Sequence, residues 1–124
     1  MALNKKTLVA GLATAVPALL ITASGIMKLT GSPEIKAGME KMGAAELIVP
    51  LGLMELAFTA LFLFPRTMKL GLLLLTSYFA GAIATDLTHG KSPGPAALIL
   101  ALVWVAAFVR DRSAFLPAAP RAQA

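Results

Sequence analysis

The chain has 124 residues, of which 58% are hydrophobic and only 14% charged, with a net charge of +5 and a mean hydropathy of +0.82. Soluble domains balance about half apolar against about a quarter charged residues, so a water-soluble fold of this length cannot bury so much apolar surface. The composition predicts an integral membrane protein, and the absence of cysteine excludes disulfides, thiolate nucleophiles and iron–sulfur ligation within the chain.

Four apolar runs approach the roughly 20 residues that cross a hydrocarbon core about 30 Å thick: residues 7–29, 45–64, 68–87 and 94–109. The first follows Lys5 and Lys6, as a signal peptide would. Its apolar core, Leu8 to Met27, is longer than the roughly 7 to 15 residues of a signal h-region, so a retained helix is expected. The connection after it carries its own helix signals, with Ser32 at the N-cap, Pro33 at the first helical position and Gly43 as the stop. Ile35, Met39 and Met42 recur on one face among Glu34, Lys36, Glu40 and Lys41, predicting a short amphipathic helix on the membrane surface that either caps the bundle or lies there without a partner. The later turns are short and make consecutive helices antiparallel neighbours. The expected fold is all-α: an antiparallel four-helix membrane bundle forming one domain over residues 1–116, with a disordered tail over 117–124.

Seven basic residues, Lys5, Lys6, Arg66, Lys69, Arg110, Arg112 and Arg121, fall at one end of this arrangement. Four, Lys28, Lys36, Lys41 and Lys91, fall at the other, where Glu34, Glu40, Glu46 and Asp86 offset them. The positive-inside rule therefore places both termini in the cytoplasm. No basic cluster is interleaved with stacking aromatics, so nucleic acid is not an expected partner. The expected partners are the bilayer itself and either another membrane protein or a second copy of the chain.

Glu55 lies midway along the second run. A charge at a helix centre costs about 2.5 to 3.5 kcal/mol on insertion scales, so Glu55 is expected to face the bundle and to be a functional candidate. With no cationic side chain expected at its depth, the neutral acid is the expected form. Gly52 and Thr59 share its helical face. On the third run Ser77, Gly81, Thr85 and His89 are spaced four apart, and antiparallel packing puts Ser77 and Tyr78 near the depth of Glu55, with Thr85, Asp86 and His89 at the outer end. Tyr78 is expected to donate to Glu55, and Lys28 to pair with Asp86 or Glu46. The expected site is an outward-facing polar pocket: Glu55, Tyr78, Ser77 and Thr85, with Lys28, Asp86 and His89 towards its mouth. A lone histidine without cysteine makes a transition-metal site unexpected. Pro17 and Pro50 each free a helical carbonyl, and Trp104 reads as an interface anchor.

The segments Ser24-Gly25-Ile26-Met27-Lys28-Leu29, Leu51-Gly52-Leu53-Met54-Glu55-Leu56 and Tyr78-Phe79-Ala80-Gly81-Ala82-Ile83-Ala84-Thr85-Asp86-Leu87-Thr88-His89-Gly90 resemble the marks of the DoxX-like family of four-span bacterial membrane proteins. Those marks are an SGxxKL ending to the first helix, LGxxEL in the second and YxxGAxxTxL in the third. Asp86 stands where a histidine is often found. The resemblance implies a location in a bacterial inner membrane and a role as membrane subunit or accessory of a quinone-linked redox or stress-response system, with quinone as a borrowed cofactor and no catalysis by the chain alone. Two alternatives stand beside it: a structural or assembly protein without a ligand, and a small proton-coupled exporter.

Overall fold

A computed structural model describes residues 4–117, and among them every regular element is helical. Helix α1, Lys5–Thr30, begins where the Asn4 side chain accepts a hydrogen bond from the Thr7 amide at 2.7 Å. It ends at Gly31, whose φ of 73° lets its N–H turn back to the Lys28 carbonyl. At 1.5 Å per residue, its 26 residues reach about 39 Å, more than a hydrocarbon core needs. Helix α2, Pro33–Lys41, opens on the proline as expected, but Ser32 makes no side-chain capping bond. Gly43, at φ 69°, follows it.

The second apolar run starts as a 3₁₀ turn, Ala45–Leu47, and continues as α3, Ile48–Leu63. Pro50 thus lies in the first turn of α3, where a missing N–H leaves no helical bond unmade. Pro17, by contrast, is inside α1 and fully buried. Helices α4, Met68–Thr88, and α5, Gly94–Arg110, complete the set. The segments Lys5–Thr30, Ala45–Leu63 and Met68–Thr88 are long and apolar enough to cross a membrane; α5 has 17 residues, the short end of the spanning range of about 17 to 25. The chain is thus a helical, multi-pass membrane protein. Residues 118–124 of the expected tail lie outside the described residues, and Pro117 has no regular structure.

The four long helices form a ring in which α1 packs against α3 and α5, and α4 against the same two. Residues 4 and 117 lie at one end, called here the near end; α2 lies at the far end. The interior is filled by Ile21, Phe62, Leu72, Leu75, Phe79, Val103 and the pair Ala106 and Ala107, while Leu12, Leu19, Leu53, Leu73, Leu98 and Val105 point outward. Hydrocarbon does not drive apolar helices together, so their association depends on close packing and polar links. A Cβ on Gly52 would meet the Gly25 carbonyl at 3.0 Å, and one on Gly71 would lie 2.6 Å from the Phe62 Cα. These two glycines set how near α3 approaches α1 and α4.

Polar links close the near end. The Arg110 guanidinium donates to the Phe62 carbonyl at 2.6 Å and the Leu63 carbonyl at 3.0 Å, and lies 5.0 Å from the Phe62 ring centroid. Thr67 donates to the Leu61 carbonyl at 2.6 Å. Together they satisfy carbonyls that the end of α3 leaves without helical donors. Trp104 is not simply an interface anchor, because its indole N–H donates to Thr76 of α4 at 3.0 Å.

Candidate functional site in the far half of the bundle

Ser24 and Lys28 are one turn apart on α1 and share a face. Opposite them, α3 buries Gly52, Glu55 and Thr59. Lys28 donates to Glu55 Oε2 at 3.1 Å and to Ser24 Oγ at 2.8 Å, and the Ser24 hydroxyl lies 3.1 Å from Oε1 and 3.2 Å from Oε2 of Glu55. The lysine side chain is 11% exposed and that of Glu55 2%. This is a buried ion pair bridged by a hydroxyl.

The arrangement corrects two expectations. Lys28 pairs with neither Asp86 nor Glu46, and Glu55 has a cation at its depth, which removes the ground for expecting a neutral acid. Side chains on a helix lean towards its N-terminus, so the Lys28 stem runs deeper into the bundle, along its own axis, rather than out to the mouth. Gly52 leaves room for it: a Cβ there would lie 3.1 Å from the Lys28 Cβ. Lys28 therefore crosses α3 at the level of Gly52, and Glu55, three residues on, is about 4.5 Å deeper along the axis. A flexible four-carbon stem spans that gap.

The pair lies on the floor of a cavity of about 710 Å³ that extends towards the far end. Among the residues proposed from the sequence, Lys28, Glu55, Ser77, Tyr78, Thr85 and Asp86 all line it. Tyr78 lines the same cavity as Glu55, but the hydrogen bonds to that carboxylate come from Ser24 and Lys28 of α1 and not, as expected, from Tyr78. The Tyr78 ring is set edge-on to Phe79, 5.1 Å between centroids. Ser77 and Thr85 spend their hydroxyl protons on their own helix, donating to the carbonyls of Leu73 and Gly81. His89 is not brought into the site. It is exposed at the end of α4, where its Nδ1 lies 2.9 Å from the Thr85 carbonyl oxygen.

The four-residue spacing puts Ser24 on the same face as Lys28, but the expected pocket did not include it. That pocket also left out the apolar walls, formed by Ile35, Met39 and Met42 on the α2 side, Met54 on α3 and Ile99 on α5. The apolar face of α2 is thus turned to the cavity, the capping arrangement of the two considered. One turn deeper than Glu55, the Thr59 hydroxyl is buried and has no hydrogen-bond partner, whereas Thr14, Thr76 and Thr85 each donate to the carbonyl four residues back.

At the cavity floor one ammonium, one carboxylate and the Ser24 and Tyr78 hydroxyls, set in apolar walls, form a hydrogen-bonding set. They can hold a carbonyl or phenolic oxygen and exchange protons with it. A largely apolar cavity of about 300 to 1,000 Å³ with a few converging polar groups is the usual form of a small-molecule site. No curated protein and no solved structure is significantly similar to the chain. The family model described as the DoxX-like family matches residues 12–109, from the end of the second turn of α1 to the penultimate residue of α5, and the chain belongs to that family.

Proposed function

We propose that the far-half cavity binds a small amphiphile with a carbonyl or hydroxyl head group, of which a quinone is the leading case, and that the protein serves as a membrane subunit or accessory of a quinone-linked redox or stress-response system. The observation that carries this reading is the Lys28–Ser24–Glu55 cluster at the floor of an apolar cavity, with Tyr78 beside it. An ammonium and a phenol are suitable donors to a quinone carbonyl, and the methionine-rich wall suits an adaptable apolar contact. A bound quinone would supply two-electron, two-proton chemistry; the chain's part is to orient the head group and to hold or release a proton at Lys28, Glu55 or Tyr78. The asymmetry of basic residues supports the placement in a bacterial inner membrane, with the near end and both termini in the cytoplasm and α2 outside.

Mass spectrometry of small molecules extracted from the gently solubilised chain tests the reading. An amphiphile with a quinone head should accompany the wild type and be depleted in Tyr78→Phe and Glu55→Gln. An extract without any such molecule, at full occupancy of the fold, would remove the ligand-binding proposal.

A second reading rests on its own observation. The ion pair lies directly beside the Gly25–Gly52 contact, so its role can be to fix α1 against α3 in a purely structural or assembly protein. Retained folding with no ligand and no loss of function in Tyr78→Phe would favour it.

A further inference from the structure

A second cavity, of about 910 Å³, opens at the near end between the start of α1, the turn after α3 and the end of α5. Its walls and its rim differ in chemistry. Ala10, Gly11, Ala15 and Val109 form a largely apolar channel, in which the Thr14 hydroxyl is turned back to the Ala10 carbonyl, while Lys6, Arg110 and Arg112 stand at its edge beside Thr7. From Lys6 to Ala15 the channel follows α1 for about 13 Å, from the level of the helix ends into the depth of the acyl chains.

The rim is cationic in effect as well as in count. Its single acid, Asp111, is engaged elsewhere: the Ser113 hydroxyl donates to its carboxylate and Lys69 Nζ lies 3.9 Å from it. Lys6 and Arg112 have no acidic partner among the described residues, and the Arg112 guanidinium is held 5.5 Å over the Phe108 ring. Arg110 uses two N–H groups on the carbonyls of Phe62 and Leu63, and a guanidinium has five. Its remaining donors stay available while it is locked in place.

We infer that this crevice binds an anionic phospholipid, with the phosphate between Lys6, Arg110 and Arg112 and one acyl chain along the Ala10–Ala15 wall of α1. An apolar slot under a cationic rim at the level of the helix ends is complementary to a molecule that is anionic at one end and hydrocarbon at the other. A free anion would leave the apolar channel unfilled; a zwitterionic lipid would bring its own cation to the rim.

The test is native mass spectrometry of the full chain in neutral detergent, offered mixed micelles of phosphatidylglycerol or of phosphatidylcholine. Phosphatidylglycerol should be retained in preference. Lys6→Gln combined with Arg112→Gln should weaken its retention roughly 30-fold, since each basic residue near an anionic surface contributes about a factor of five. Lys6→Arg with Arg112→Lys should retain it. Both changed residues are exposed, so the melting temperature in lipid-free detergent should not move; should the double variant fail to fold, Arg112→Gln alone decides, with a roughly fivefold loss expected. Equal retention of the two lipids, or selectivity untouched by the substitutions, overturns the inference. So does displacement of the lipid by millimolar glycerol phosphate, which would make the occupant a soluble anion.

Discussion

Replacing Lys28 with methionine should destabilise the bundle, and the size of the loss follows from where Glu55 lies. The substitution keeps the length of the stem but removes the ammonium 3.1 Å from a carboxylate that is 2% exposed. Removing one partner of a buried pair typically costs about 3 to 5 kcal/mol. The variant should therefore be about 3 to 5 kcal/mol less stable than the wild type at neutral pH. Glu55→Gln leaves the lysine able to retreat towards the cavity mouth and should cost less, about 1 to 2 kcal/mol. Lys28→Met with Glu55→Leu removes both charges and should lie closer to the wild type than Lys28→Met does at pH 7. Denaturant unfolding in detergent at pH 7, followed by circular dichroism, measures all four proteins. A Lys28→Met penalty below about 1 kcal/mol, or a double variant no more stable than Lys28→Met, would refute the buried ion pair.

Gly71→Ala should destabilise the bundle by about 1 to 3 kcal/mol through overpacking, because its Cβ would lie 2.6 Å from the Phe62 Cα. Gly81→Ala, where nothing stands within 4 Å, should be neutral or stabilising by up to about 1 kcal/mol; thermal melts of the two variants compare them directly. Arg110→Met should cost about 1 to 3 kcal/mol by stripping the donors from the Phe62 and Leu63 carbonyls, with Arg110→Lys intermediate on the same assay. Because the chain has no cysteine, single replacements report topology without interference: Ser32→Cys should react with an impermeant maleimide on intact spheroplasts and Ser113→Cys only after lysis. The opposite pattern would invert the proposed orientation.

Much of the fold was legible because it depends on local quantities. Run length and composition identify the membrane helices, and Pro33 and Gly43 bracket α2 because one lacks a donor that the first turn does not need and the other accepts a positive φ. Lys28, Glu55, Tyr78, Ser77, Thr85 and Asp86 were readable as one neighbourhood, since helical periodicity and antiparallel depth matching bring them to the same half of the bundle. His89 was misplaced because periodicity continues past the point where α4 ends, at Thr88. Its ring turns back to cap the Thr85 carbonyl instead of entering the cavity.

Composition and periodicity are enough to say that this chain is a helical membrane protein, which residues are too polar to face lipid, and which end of the bundle gathers the cations. The pairing of side chains across the bundle is settled by packing. Lys28 has acidic candidates in Glu46, Glu55 and Asp86, and nothing local to any of them selects one. The selection comes from Gly25 and Gly52 letting α1 and α3 approach until the lysine stem passes over the glycine and reaches one turn deeper. The near-end crevice has the same origin, because Lys6 and Arg112 are more than a hundred residues apart and become one rim only when α5 closes the ring against α1. Hydrophobicity and helix propensity are sums over neighbours in the chain, whereas interhelical register is a property of the assembled surface, set by where the small residues allow two backbones to come close.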